Sequence, residues 1–507
     1  ISDGFTVDTD VPTITYIREG ESGELDIQNV DSLISVRWLG ADIATGSGVD
    51  FYEVALGTSV GDSNIVDWFV QDHPDTLEDI DDLDLTDGTT YYVSVRVTDV
   101  AGNRSASSSS DGLLIDLSVP LLGTVHDGDS VDIAFTPSDS TITANWYGFT
   151  DTVSSIASYE VAIGDSSDED NIAAWVNVDT NRTYTFTGLD LVNGTEYFVH
   201  VRATDLAGNT SDDAVSNGNI VDTSPPVAGS VYDGLDLIDE YWTNSQEALD
   251  LSWTGFEDSL VGIASYEYAV GTTPGGLEIA SWINNGMNTS VSVLDLELVH
   301  NLTYYGSVRA IDHFGHISEV AISDGIEVDT FNPTVGIPHE GSLDDLDYQG
   351  PSDTLAIYWE GQDPASRELS YYEYAVGSTP GGTDKLPWSD NGMETSVNIL
   401  DFELEHESTY YASVRAYDMA GNVSNIVSGD GVMADLYPPT VGWVVDGLGV
   451  DESYTPSDST IEANWDGFAD TSSNIYHYEY AVGTSSGEYD VTDGWISVGL
   501  DLHVVSE

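Results

Sequence analysis

Aspartate is the residue whose placement in this 507-residue chain could carry chemistry. Three sets recur in phase. Asp8, Asp116, Asp222, Asp329 and Asp435 form the first, usually followed by Pro within four residues. Asp42, Asp151, Asp258, Asp363 and Asp470 form the second, each just after a recurring Trp. Asp99, Asp205, Asp312 and Asp418 form the third, each after a recurring Val-Arg pair. Carboxylates are the hard oxygen ligands that suit Ca2+, so the pattern points to cation binding. The competing role is ordinary: Asp closes turns through its own side chain, as in Thr-Asp-x-Ala-Gly-Asn, and a linker Asp is commonly just solvated. No dense Asp-x-Asp-x-Asp loop is present.

Composition narrows the partners. Ninety acidic residues against ten basic ones give a formal charge of -80. Such a chain cannot supply the cations that displace counterions from phosphate, so nucleic acid and an anionic membrane surface are excluded as partners. There is no Cys and hence no disulfide scaffold, and no apolar run approaches the roughly 18 residues of a membrane-spanning helix. With 40% hydrophobic and 10% aromatic residues, the chain has enough apolar surface to fold despite its charge. Acidity also fits life at high salt, where screening relieves self-repulsion; Lys385 is the single lysine, which argues against lysine-asparagine isopeptide staples in every unit.

The aspartates keep phase because the chain repeats. Trp38, Trp146, Trp253, Trp359 and Trp465 are 108, 107, 106 and 106 residues apart. The same period carries Tyr-Glu pairs (Tyr52-Glu53 to Tyr478-Glu479) and Val-Arg pairs (Val95-Arg96 to Val414-Arg415). A unit of that length is a whole domain. The opening Ile1–Thr9 matches Ile322–Thr330, which closes a repeat, so the expected division is 1–9 as the final strand of a preceding repeat, then 10–117, 118–223, 224–330, 331–436 and a truncated 437–507. On that reading the sequence is a window on a longer array.

Apolar residues alternate ahead of each Trp (Ile142, Ala144, Trp146), along the Tyr-Glu segment (Tyr159, Val161, Ile163) and along the Val-Arg segment (Tyr197, Val199, Val201, Ala203). Period two means half-buried strands, and turn signals such as Asn193-Gly194 separate them, so each unit is predicted to be a β-sandwich. A Trp on the second strand, a Tyr on the third and the run Leu191-Val192-Asn193-Gly194-Thr195-Glu196-Tyr197 resemble the fibronectin type III module, as found in tandem in microbial surface and secreted proteins. The fold class implied is all-β, tandem immunoglobulin-like or fibronectin type III sandwiches arranged as an elongated array, with a tyrosine corner at Tyr197. Repeats 3 and 4 depart from the pattern: Asn301 and Glu407 stand where the corner has Gly.

The resemblance makes the Tyr-Glu and Val-Arg strands neighbours. It implies outward cross-strand pairs Glu53-Arg96, Glu160-Arg202, Glu267-Arg309 and Glu373-Arg415. It also brings the loops after the second and sixth strands to the pole where the preceding domain's junction Asp arrives. Each junction would then gather three carboxylates, such as Asp222, Asp258 and Asp312, around a Ca2+ that stiffens the array. A second recurring Trp (Trp68, Trp175, Trp282, Trp388, Trp495) is expected to pack under a loop rather than to stack on sugar. His313 and His316 are a close pair without a supporting ligand cluster. No catalytic constellation is expected. The expected product is an extracellular or cell-surface structural repeat protein, a rod, filament or surface-layer component that self-associates or joins other matrix components; the alternatives are an adhesin binding glycan or protein, and an accessory segment of a secreted hydrolase.

Overall fold

The computed structural model describes residues 3–72, 76–362 and 368–506. Among them every regular element is a strand. The chain divides into two compact units, Ile1–Pro226 with Asp258–Ile263 and Ile311–Ile317, and Val227–Glu257 with Ala264–Ala310 and Ser318–Glu507.

In the first unit, repeat 2 shows the pattern. Thr124–Asp127, Thr141–Tyr147 and Thr183–Thr187 make a three-stranded antiparallel sheet with the Trp146 strand in the middle. Facing it is a six-stranded sheet in which Phe135–Thr136, Asn219–Val221, Glu196–Asp205, Ile156–Gly164 and Ala173–Asn177 follow one another, with Ala214–Val215 also on the Glu196–Asp205 strand. Phe135–Thr136 runs parallel to Asn219–Val221, so the first strand crosses from one sheet to the other and covers an otherwise open edge. Repeat 1 has the same two sheets. In the second unit repeat 4 repeats them, from His339–Glu340 to Val432–Ala434.

The alternation read from sequence is what fills the space between the sheets. Ile142, Ala144 and Trp146 from one sheet meet Tyr159, Val161, Ile163, Tyr197, Val199, Val201 and Ala203 from the other. In repeats 1 to 4 each core Trp meets the Tyr of its Tyr-Glu pair edge to face, with ring centroids 5.7 Å apart for Trp38 and Tyr52 and 5.8 Å for Trp146 and Tyr159. Truncating such a Trp to Ala typically costs about 3–5 kcal/mol.

The tyrosine corner forms in all four repeats that contain it. The Tyr91, Tyr197, Tyr304 and Tyr410 hydroxyls accept the Thr86, Val192, Val299 and Glu405 amides at 2.9, 2.9, 2.9 and 2.7 Å. Loss of the glycine in repeats 3 and 4 leaves the corner's backbone unchanged: Asn301 and Glu407 adopt φ of 65° and 60°, against 72° and 77° for Gly88 and Gly194. Asn tolerates that region because its short amide bonds locally; Glu has no such compensation and carries the strain.

Candidate functional site

At three junctions the aspartates lie close together. One oxygen each of Asp8, Asp42 and Asp99 lie within 4.8 Å of one another, and the same holds for Asp116, Asp151 and Asp205 and for Asp222, Asp258 and Asp312. In repeat 4, Asp329 and Asp418 are joined through Asn422, whose amide donates to the Asp329 carbonyl and to Asp418 Oδ2. Asp363 lies outside the described residues. Asp435 meets Asp470, whose carboxyl is held below its ordinary range by the Ser473 and Ser472 amides.

Each carboxylate has a definite local task, and the three tasks differ. The third set closes turns: Asp205 Oδ1 accepts the Gly208 and Asn209 amides at 2.7 and 2.9 Å, and Oδ2 accepts Asn209 Nδ2 at 2.9 Å. The second set caps the loop after the Trp strand, Asp151 Oδ1 taking the Val153 and Ser154 amides, both at 2.8 Å. The first set caps the linker, Asp116 Oδ1 taking the Ser118 amide at 3.1 Å. What remains are the second oxygens. Asp116 Oδ2 and Asp151 Oδ2 are buried without a hydrogen-bond partner, as is Asp222 Oδ2, and Asp116 and Asp222 are fully buried residues. Burial first, then the charges of Asp151 and Asp205, push the Asp116 carboxyl up. The first junction differs: Asp8 Oδ2 accepts the Ser47 amide at 2.6 Å and Asp42 Oδ2 the Gly48 amide at 2.8 Å, so its oxygens are already engaged.

Two further connections at the junctions were not evident in the sequence. The Asn that ends Ala-Gly-Asn reaches into the preceding repeat: Asn103, Asn209 and Asn422 donate to the carbonyls of Asp8, Asp116 and Asp329 at 3.2, 2.9 and 3.0 Å. Repeat 3 has His316 in that place, and its Nδ1 faces Asp312 Oδ2 at 2.7 Å. Burial alone would raise Asp312, but the His316 amide and ring hold it below its ordinary value. His313 is turned onto the Gly262 carbonyl at 3.1 Å, so the two histidines do not converge on a common point. Second, the residue before the corner braces the linker: Asp87, Asn193, His300 and His406 accept the amides of Leu117, Thr223, Thr330 and Leu436. The signal was its fixed distance ahead of the corner Tyr.

On the outer face the cross-strand pairs form as predicted. Glu53 sits opposite Arg96, Glu160 opposite Arg202 and Glu373 opposite Arg415 in register. Arg Nε to Glu Oε2 distances are 2.9, 2.9, 2.8 and 2.7 Å in repeats 1 to 4. The second Trp is not under a loop as expected. Trp68, Trp175, Trp282 and Trp388 lie half-buried on the strand beyond the Tyr-Glu strand, each with the Arg guanidinium 4.1 to 4.5 Å from its ring centroid. The guanidinium occupies the ring face on which a sugar would stack. Trp495 has no such cover and is 63% exposed. The stretches Gly57–Gly61 and Gly483–Gly487 read Gly-x-Ser-x-Gly by letter, but Ser59 lies in an exposed turn after a strand and not on a strand-to-helix elbow.

Each of repeats 1 to 4 also buries a carboxylate where its first strand ends, at Glu19, Asp127, Asp233 and Glu340. Desolvation pushes these groups up to about 7, 6, 6 and 7. The sequence signal is an acidic residue followed by Gly, a pair that reads as a turn until burial is known.

No protein-family model matches the chain. Exoglucanase B of Cellulomonas fimi is 31% identical over 343 residues, 65% of this chain. The chain spans only 27% of that relative's length. Among solved structures, the FN1-FN3 domains of chicken CNTN1 align over 62% of this chain and 98% of theirs, at 15% identity and a TM-score of 0.28. Domains from titin align over 63% and 100%, at 15% identity and a TM-score of 0.27. Strand order, the shared Trp-Tyr core and the four tyrosine corners establish the fold: the chain is a tandem series of fibronectin type III-like β-sandwiches.

Proposed function

We propose that this chain is a non-catalytic spacer segment of an extracellular protein, in which Ca2+ joins successive sandwiches at their junctions. The observation that carries it is the meeting of one carboxylate oxygen each from Asp116, Asp151 and Asp205, in a place where Asp116 Oδ2 and Asp151 Oδ2 are buried and the Ser154 hydroxyl beside Asp116 is the neutral group at hand. Like charges held together away from water repel unless a cation lies between them, and Ca2+ accepts six to eight oxygens in a flexible geometry. The Asp222, Asp258 and Asp312 set supports the same reading, whereas the Asp8 set, with its oxygens already bonded, is expected to bind weakly. The Asn209 bridge adds a cation-independent link at the same junction. Kinship with part of an exoglucanase favours the accessory-segment version, a spacer attached to a secreted hydrolase, over a self-assembling lattice.

The test is hydrogen exchange of the full chain in chelator, in Ca2+ and in Mg2+. Ca2+ is expected to slow exchange of the Ser118 and Asn209 amides, and Asp151→Asn to abolish that response. Exchange that ignores Ca2+ at these amides would overturn the proposal.

A further inference from the structure

Repeats 1 and 3 each contain a second carboxylate cluster, built from residues that take no part in the junctions. One oxygen each of Glu19, Glu24 and Asp111 lie within 4.8 Å of one another, as do those of Asp233, Asp239 and Asp324. The geometry points to a divalent cation site of the hard-oxygen class, suited to Ca2+, inside each of these two sandwiches.

The cluster is built by the turn that ends the first strand. Glu19 and Asp233 close the strands Thr13–Glu19 and Ser230–Asp233, and Gly20 and Gly234 then turn the chain at φ of 99° and 144°. The turn returns Glu24 and Asp239, whose oxygens accept the Glu19 and Asp233 amides at 3.2 and 3.1 Å. Asp111 and Asp324 come from the chain that follows the Val-Arg strand. The cluster alone would be no site, because exposed acids often gather. The second observation is the buried member. Asp233 is fully buried; its Oδ2 accepts the Gly325 amide at 2.9 Å while Oδ1 has no hydrogen-bond partner. Glu19 is likewise fully buried. Taking a carboxylate out of water is costly unless a cation pairs with it, and here the neighbours facing it are one serine hydroxyl, Ser323 for Asp233 and Ser110 for Glu19, and two more carboxylates. Oxygens bound to one Ca2+ at about 2.4 Å cannot be more than about 4.8 Å apart, and these lie within that limit.

The other repeats supply internal controls. In repeat 2 the third position is Asn217, and its Nδ2 donates to Asp132 Oδ2 at 3.0 Å, placing a donor where a ligand is needed. Repeat 4 keeps all three acids, Glu340, Asp345 and Asp430, but Gly429 lets Glu340 take the Ala412 amide directly at 2.8 Å and His339 Nδ1 stands 3.2 Å from Asp345, so two of its acids are already engaged. In repeat 1, Arg18 reaches Glu24 from solvent at 3.4 Å, so that site is expected to be the weaker of the two.

The test counts Ca2+ bound to the full chain by equilibrium dialysis in enough monovalent salt to suppress diffuse counterions. The double variant Asp111→Asn/Asp324→Asn keeps every buried carboxylate and imitates the native Asn217; it is expected to bind two fewer ions than the parent. Asn217→Asp is expected to bind one more. The charge-matched variant Asp81→Asn/Asp190→Asn, on exposed acids elsewhere, is expected to lose none. The inference is overturned if the first variant binds as many ions as the parent, or if the charge-matched variant loses as many as the first. Junction ligands are unaltered in all three, so the result is independent of whether the junctions bind Ca2+.

Discussion

Asp127→Asn tests whether the buried carboxylate of repeat 2 weakens that sandwich at neutral pH. Asp127 is fully buried, its Oδ2 takes the Gly218 amide at 3.2 Å and its Oδ1 has no hydrogen-bond partner. Burial raises its carboxyl from 3.8 to about 6. The folded state therefore keeps a proton that the unfolded chain releases. Stability is full at and below about pH 4 and is lost as pH rises through about 6. A shift of about two units corresponds to about 3 kcal/mol across that window, or roughly 100-fold in the opening equilibrium. The amide of Asn fills the same space and does not titrate. The assay is hydrogen exchange of the segment Glu196–Asp205 in the full chain, parent against variant at matched pH so that intrinsic exchange cancels. Protection in the variant is expected to gain on the parent by one to two orders of magnitude between pH 4.5 and 7.5. A ratio that stays constant with pH would refute the reasoning.

Three other outcomes follow from the same structure. Tyr197→Phe leaves the Val192 amide without its acceptor and is expected to cost about 1 kcal/mol by chemical denaturation, with Tyr304→Phe doing the same in repeat 3. Glu407→Gly removes a side chain held at φ 60° and is expected to raise the stability of repeat 4 by about 1 kcal/mol, while Gly194→Ala lowers that of repeat 2; a loss in both would show that the corner φ is not strained. Arg202→Lys keeps the charge facing Glu160 but loses the flat contact with Trp175, and is expected to cost about 0.5–1 kcal/mol with blunted quenching of Trp175 fluorescence.

Much of the architecture was legible because it rests on period. Alternation placed Trp146, Tyr159 and Val201 in the core, and on strands that the family resemblance made neighbours it put Glu160 and Arg202 on one face, since side chains two residues apart share a face. The convergence of Asp116, Asp151 and Asp205 followed from topology applied to in-phase residues. What escaped depended on atoms rather than pattern. Nothing in the type or spacing of Asn209 says that its amide spans two repeats, because the same residue would equally serve as a left-handed turn. Glu19 and Asp233 read as surface turn residues because acids usually are, and only their zero exposure reveals otherwise. Trp175 was expected to pack under a loop because the sequence does not disclose that a guanidinium lies on its ring.

The asparagine bridges have a consequence for how such a series comes apart. Asn209 finishes its own turn on Asp205 and, with the same amide, holds the carbonyl of Asp116, so the turn after one sandwich's Val-Arg strand is tied to the exit of its predecessor. Unravelling should then spread from neighbour to neighbour, with unit and interface contributing separately as in a one-dimensional chain of coupled states. His316, turned onto Asp312 instead, marks the place where that dependence is weakest and where melting would pause.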